Sequence, residues 1–163
     1  MKILYFGGQK SGKSTLAEAK ALAIATGKPY YLATYDQSFD DSEMDEKIKK
    51  HRLARRDEFI TLEEPRDLVR VIEPTLTYLI DCISMWILNR MDDDEEVLIK
   101  EIEKMTNIKA NIVFVLNDVG NGVIPNNPMS RRYVDLSGII GQKLAALCDE
   151  VYEVKLGLQR CLK

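Results

Sequence analysis

Apolar positions along the chain alternate between two textures. Five short runs are nearly continuous in apolar residues: "KILYF" (2–6), "YYLAT" (30–34), "LTYLID" (76–81), "NIVFVLN" (111–117) and "EVYEVKL" (150–156). Runs of this length predict strands, and the first four lack polar alternation, as expected for strands covered on both faces. Between the runs the spacing becomes helical. Leu16, Ala19 and Ala23, with the alanines around them, predict a helix ending at Gly27 and closed off by Pro29. Leu98, Ile102 and Met105 mark one face of a second helix, with the acids of 92–96 at its positive end. Those acids could also be read as a metal site, but a helix start explains them fully. Tyr133, Leu136, Ile140, Leu144 and Leu147 mark the apolar face of a late helix.

Alternation of strand and helix predicts an α/β fold: a mostly parallel sheet with helices on both faces, built as a single domain over 1–163. Ligands in such folds sit beyond the carboxyl ends of the strands. Each predicted strand runs out there into glycine or polar chemistry: Gly7, Thr34, Asp81, then Asn117 and Asp118. That edge is the predicted site.

The first strand leads directly into "GGQKSGKS", which fits G-x-x-x-x-G-K-S with Gly7, Gly12, Lys13 and Ser14 at the fixed positions. The residues of this stretch, Gly7, Gly8, Gln9, Lys10, Ser11, Gly12, Lys13 and Ser14, form the candidate phosphate cradle. Glycines allow backbone N–H groups to turn inward around phosphate oxygens, and the following helix start adds a favourable field. Lys13 would reach the outer phosphates, and Ser14 would ligate Mg²⁺. The fold expected is therefore of the P-loop NTPase type, RecA-like. Asp81 could bind the same Mg²⁺ directly or through water, or it could simply cap the helix beginning near Ile83.

The only histidine, His51, lies in "IKKHRLARR". Acids dominate 36–46 and cations dominate 47–56, an order that suits a solvated helix and its dipole. Yet Lys47, His51 and Arg55 are spaced i, i+4, i+8 and would share one face of that helix. Neighbouring cations disfavour imidazolium, leaving a nucleophilic ring nitrogen, and they would also hold a phosphate against it. The turn-rich "NDVGNGVIPNNP" (117–128) differs from the N-K-x-D guanine-reading motif, which weakens a switch-GTPase reading. After it, Arg131, Asp135, Gly138 and Gln142 form a polar stripe. Mid-helix Gly138 and Gly141 suggest close packing or ligand contact, or the stripe simply faces solvent.

Composition narrows the class further. The chain has 163 residues, 45% apolar and 30% charged, with a net charge of -3. That balance fits a globular domain and argues against nucleic acid as a partner. Three widely spaced cysteines (Cys82, Cys148, Cys161) make no C-x-x-C pair, so neither a disulfide framework nor a structural zinc site is expected. No apolar run reaches the ~18 residues of a membrane span, and "MKILYFGG" is too short for a signal-peptide core, so a cytoplasmic location is expected.

These pieces, in this order, resemble the bifunctional adenosylcobinamide kinase/adenosylcobinamide-phosphate guanylyltransferase family of cobalamin biosynthesis. The resemblance spans essentially the whole chain: "GGQKSGKS", "YLAT", "HRLARRDEF" running into "TLEE", "LIDCISMWILN", "NDVGNGVIP", "RRYVDLSGIIGQKLA" and "GLQRCLK". It implies phosphorylation of adenosylcobinamide by ATP or GTP. It then implies transfer of GMP from GTP to adenosylcobinamide phosphate through a guanylylated histidine, giving adenosylcobinamide-GDP. Matched onto this chain, the nucleophile is His51, with Lys13 also catalytic. The nucleotide contacts are residues 7–14, Ala33, Thr34, Tyr35, Arg52, Leu53, Ala54, Arg55, Glu63 and Asp81, and Ser14 and Asp81 are metal ligands. The resemblance further implies a corrinoid substrate and a homo-oligomer, typically a trimer. The chain departs from the family pattern at Phe59 (usually Trp), Asp118 (usually Glu), Val134 (usually Arg) and Gly141 (usually Asn). Two other readings share the P-loop. One is a simple small-metabolite kinase with no covalent intermediate; the other is an ATPase or switch protein serving a partner.

Overall fold

The structure is a computed structural model in which residues 1–35, 56–120, 122 and 124–163 are described. Its frame is one seven-stranded sheet. In chain order the strands are β1 (Lys2–Gly7), β2 (Tyr30–Ala33), β3 (Ile60–Glu63), β4 (Thr77–Asp81), β5 (Asn111–Asn117), β6 (Glu150–Lys155) and β7 (Leu158–Cys161). They lie side by side as β3-β2-β4-β5-β1-β6-β7. All pairs are parallel except β6 with β7. The predicted α/β class and mostly parallel sheet therefore hold, and all five strands read from the sequence are present.

Two strands were not foreseen. β3 and β7 are the two edges, each four residues long, and every residue of β7 is exposed. Main-chain pairing holds them rather than a buried side-chain face, so they carry no apolar run to read.

Helices cover both faces: α1 (Lys13–Ile24), α2 (Leu68–Val71), α3 (Ile83–Asn89), α4 (Glu95–Asn107) and α5 (Pro128–Leu147). Successive residues of a strand point to opposite faces, so the central strands divide their side chains between two cores. Ile3, Tyr5, Leu79, Val113 and Val115 pack with Ala17 and Ala21 of α1. Leu4, Ile80, Ile112, Phe114 and Leu116 pack on the other face with Trp86, Ile102, Leu136 and Ile140. Burial of both strand faces explains why "NIVFVLN" reads as a continuous apolar run.

The second and third helices read from the sequence hold with small shifts. Leu98, Ile102 and Met105 are all buried on α4, whose first turn carries Glu95 and Glu96. Asp93 lies before that helix and pairs with Arg90. On α5, Leu136, Ile140 and Leu144 are buried as expected, whereas Leu147 is exposed. Gly141 is a close-packing position, because a Cβ there would sit 3.1 Å from Leu116 Cδ2. Gly138 is not: a Cβ there would meet nothing within 4 Å.

Candidate functional site

Parallel pairing aligns the carboxyl ends of the strands. Gly7 stands opposite Asn117 on one side and Val154 on the other, while Ala33 stands opposite both Glu63 and Asp81. The sequence-predicted residues Gly7, Thr34, Asp81 and Asn117 thus share one edge. Lys13 and Ser14 follow the glycine-rich loop at the amino end of α1.

Gly7 is required by close approach. A Cβ there would lie 2.3 Å from Val154 O and 2.9 Å from Ser11 Oγ. Gly12 adopts φ +96°, and a Cβ there would fall 3.1 Å from Gly157 Cα. Gly157 belongs to the two-residue turn between β6 and β7, in which Leu156 and Gly157 both have positive φ, as in type I′ hairpins. The Gly157 N–H donates to Ser11 O at 2.8 Å, so the tip of the terminal hairpin braces the loop from outside. Sequence reading did not find this brace; its one signal is Leu-Gly between two short runs.

Inside the loop, Lys13 Nζ donates to Gly8 O at 3.1 Å, and the side chain is buried. Burial pulls its pKa down, opposed by the nearby Cys82 and Asp81. Ser11 Oγ is buried without a partner among the described residues, as fits a cradle built for an oxyanion. Gln9 and Lys10 are exposed on the loop's outer turn, and Lys10 also has positive φ.

Ser14 Oγ donates to Asp81 Oδ1 at 3.3 Å, and Tyr31 OH donates to Asp81 Oδ2. The helix cap is Cys82, with no side-chain cap bond, so Asp81 is turned to Ser14 and not to the start of α3. Cys82 itself holds φ +79°, and burial, with Asp81 adding to it, pushes its thiol up to about 11. The thiol is therefore protonated and not a nucleophile at neutral pH.

Thr34 is almost wholly buried. Its Oγ1 donates to Cys82 O at 2.9 Å and lies 3.3 Å from Asp81 O. Glu63 is exposed at the end of β3, on the same edge as Ala33 and Asp81, and Tyr35 follows Thr34 half-buried. His51, Arg52, Leu53, Ala54 and Arg55 lie outside the described residues. The edge therefore brings together residues 7–14, Ala33, Thr34, Tyr35, Glu63 and Asp81.

Sequence reading passed over Glu64, which is buried next to the exposed Glu63. Its Oε1 accepts from the N–H groups of Arg66 and Asp67, each at 3.0 Å, and its Oε2 accepts from Arg70 at 2.6 Å. Phe59, one of the departures from the family pattern, is buried with its ring edge-on to Tyr31 at 6.2 Å.

No described helix is long and apolar enough to cross a membrane. Among the described residues no group of three or more His, Cys, Asp or Glu could hold a metal. The oxygens of Ser14 and Asp81 beside the phosphate loop nonetheless fit a hard cation. Mg²⁺ takes one or two protein oxygens and fills its remaining positions with phosphate and water.

Sequence comparison with known proteins covers nearly the full chain. The chain is 36% identical to the bifunctional adenosylcobalamin biosynthesis protein CobP of Pseudomonas aeruginosa, across 100% of this chain and 98% of the relative. It is 32% identical to the bifunctional adenosylcobalamin biosynthesis protein CobU of Escherichia coli and to that of Salmonella typhimurium, with 97% of each chain covered. Residues 3–162 match the model of one family, and on that match the chain belongs to the cobinamide kinase / cobinamide phosphate guanyltransferase family.

Proposed function

We propose that this enzyme of cobalamin biosynthesis phosphorylates adenosylcobinamide with ATP or GTP. It then moves GMP from GTP onto adenosylcobinamide phosphate through a His51–GMP intermediate. The observation that carries the reading is the loop at 7–14 with Lys13 buried inside it and Ser14 turned toward Asp81. That arrangement suits a triphosphate, and the same edge carries Thr34 and Tyr35, which directly precede the interval that contains His51, with Glu63 at the end of β3 beside them.

In the first step a substrate hydroxyl oxygen attacks the γ-phosphorus, the bond to the nucleoside diphosphate breaks, and the hydroxyl proton leaves. Lys13 and the loop N–H groups hold the charge that builds on the phosphate oxygens. In the second step a neutral ring nitrogen of His51 attacks the α-phosphorus of GTP. A P–N bond forms and pyrophosphate departs. A phosphate oxygen of the substrate then attacks the same phosphorus, breaks the P–N bond and frees the imidazole, leaving a pyrophosphate link in adenosylcobinamide-GDP. Mg²⁺ held at Ser14 and Asp81 would neutralise charge on the phosphates. The net charge of -3 fits a small-molecule substrate better than nucleic acid. We place the enzyme in the cytoplasm as a homo-oligomer, a trimer by family likeness, which sedimentation at micromolar concentration tests directly.

The chemistry is tested by incubation with GTP and Mg²⁺ followed by intact-mass measurement. The protein gains one covalent GMP, His51→Ala gains none, and its GTP affinity stays within about threefold. An unaltered rate of guanylyl transfer in His51→Ala sinks the mechanism. A wild-type protein that phosphorylates without acquiring GMP is a simple kinase.

A further inference from the structure

Tyr31 lies two residues short of the carboxyl end of β2, buried in the core that packs on α1. Packing alone would accept phenylalanine there, since its ring stands edge-on to Phe59. The hydroxyl has another use: it donates to Asp81 Oδ2. Strand register explains the meeting. Ala33 pairs with Asp81 and Tyr31 with Leu79, so all four side chains lie on one face of the sheet. That face is the one covered by α1, whose first turn carries Ser14.

The two oxygens of Asp81 therefore have different neighbours. Oδ1 accepts from Ser14 Oγ at 3.3 Å, and Oδ2 accepts from the Tyr31 phenol. The main chain is tied to β2 as well, because Thr34 Oγ1 donates to Cys82 O at 2.9 Å and lies 3.3 Å from Asp81 O. Asp81 is thus fixed at its backbone and at one oxygen, while the other oxygen faces Ser14. A carboxylate held this way offers a cation one oxygen, because a grip through both would cost the phenol its bond. One-oxygen ligation suits Mg²⁺, which is small, octahedral and completes its shell with phosphate and water. Ca²⁺ takes more oxygens at looser geometry, often both of one carboxylate.

We propose that Tyr31 is a positioning residue that sets the metal preference of the phosphate site: by engaging Asp81 Oδ2 it leaves Oδ1 alone for the cation and favours Mg²⁺ over Ca²⁺. The inference rests on the reading that Ser14 and Asp81 hold the metal.

The probe is the α,β-methylene analogue of GTP, which cannot pass GMP to His51. Its Kd is measured by calorimetry without corrinoid, in excess Mg²⁺, in excess Ca²⁺ and in EDTA. The tightening that each metal brings is Kd in EDTA divided by Kd with that metal. Wild type is compared with Tyr31→Phe, Tyr78→Phe and Asp81→Asn. Tyr78→Phe deletes a second buried phenol, one that accepts from the Glu73 N–H at 2.9 Å on the opposite face of the sheet.

In wild type Mg²⁺ tightens binding more than Ca²⁺ does. In Tyr31→Phe that advantage falls by about fivefold or more, while Kd in EDTA stays within about twofold. Tyr78→Phe keeps the wild-type preference even where its thermal midpoint drops. Equal weakening of Tyr31→Phe in all three conditions, or the same change of preference in Tyr78→Phe, marks a merely structural role and overturns the proposal. A wild type that binds equally well with either metal overturns it too. Asp81→Asn separates the proposal from the reading beneath it. If that variant keeps the full Mg²⁺ tightening, the metal reading fails and the proposal falls with it. If Asp81→Asn loses the tightening but Tyr31→Phe keeps the preference for Mg²⁺, only the role of Tyr31 is overturned.

Discussion

The phosphate loop and the turn at 64–67 flank the same sheet edge, but they are held by different kinds of bond. The loop is braced by backbone against backbone: Gly157 N–H on Ser11 O, Val154 O against Gly7, and Gly12 against Gly157. The turn is held by side chains that reach main-chain atoms, namely Glu64 on two N–H groups, Asn89 on two carbonyls and Trp86 on a third. A backbone brace needs glycine at a few positions and tolerates variation elsewhere. A side-chain brace fails when one residue changes, because its buried main-chain partners then lose their bonds. The edge thus pairs a rigid phosphate grip with a neighbour whose position depends on single residues.

The comparison breaks most severely at Lys13. If the edge is one site serving both half-reactions, Lys13→Ala lowers phosphorylation and GMP uptake together, each by about a hundredfold or more. Steady-state phosphorylation and single-turnover GMP uptake measure the two. Loss confined to phosphorylation would mean that the two steps use separate phosphate grips.

Gly12→Ala tests the backbone brace itself. The new methyl group meets Gly157 Cα at 3.1 Å and the residue must hold φ +96°, two costs that together predict about 2–3 kcal/mol of lost stability. Gly8→Ala is the contrast, since a Cβ at Gly8 meets nothing within 4 Å. Its unfolding free energy should stay within about 0.5 kcal/mol of wild type. Urea unfolding of the two variants decides the matter, and equal losses would show that the hairpin does not brace the loop.

This difference in bonding also explains what could be read in advance. The loop is local: fixed spacing within eight residues, a strand before it and a helix after it, so "GGQKSGKS" declared both its place and its chemistry. The central strands declared themselves because burial on both faces leaves a run of apolar residues. The turn at 64–67 is non-local. Asn89 meets Thr34 across 55 positions and Pro65 across 24, and no spacing rule links residues so far apart. Glu63 was singled out through family likeness, yet the buried carboxylate is its neighbour Glu64. Burial on a four-residue edge strand and the turn after it follows from contacts that the sequence pattern does not encode. Of the late-helix glycines, Gly141 lies against Leu116 and Gly138 lies in the open, a distinction that periodicity could not draw.

Glu64 sharpens the comparison through pH. Burial opposes its ionisation, but the N–H groups of Asp67 and Arg66 and the guanidinium of Arg70 outweigh that and hold its carboxyl below the ordinary value. Arg70 is largely exposed, so solvent screens its share and the two backbone donors matter most. A carboxyl depressed in the folded state contributes stability in full above its unfolded pKa, and loses it as pH falls through the folded value. Glu64→Gln keeps a neutral acceptor and should cost about 1 kcal/mol at pH 7. That deficit begins to shrink as pH falls below the ordinary carboxyl value and closes only below the lower folded value, where folded Glu64 is protonated and resembles the glutamine. Gly12→Ala introduces no titrating group, so its deficit stays level across the same range. Urea midpoints for both variants between neutral pH and pH ~3 measure the two slopes. A Glu64→Gln deficit that stays flat with pH would mean that the turn is held by shape alone and not by the charge on its carboxylate.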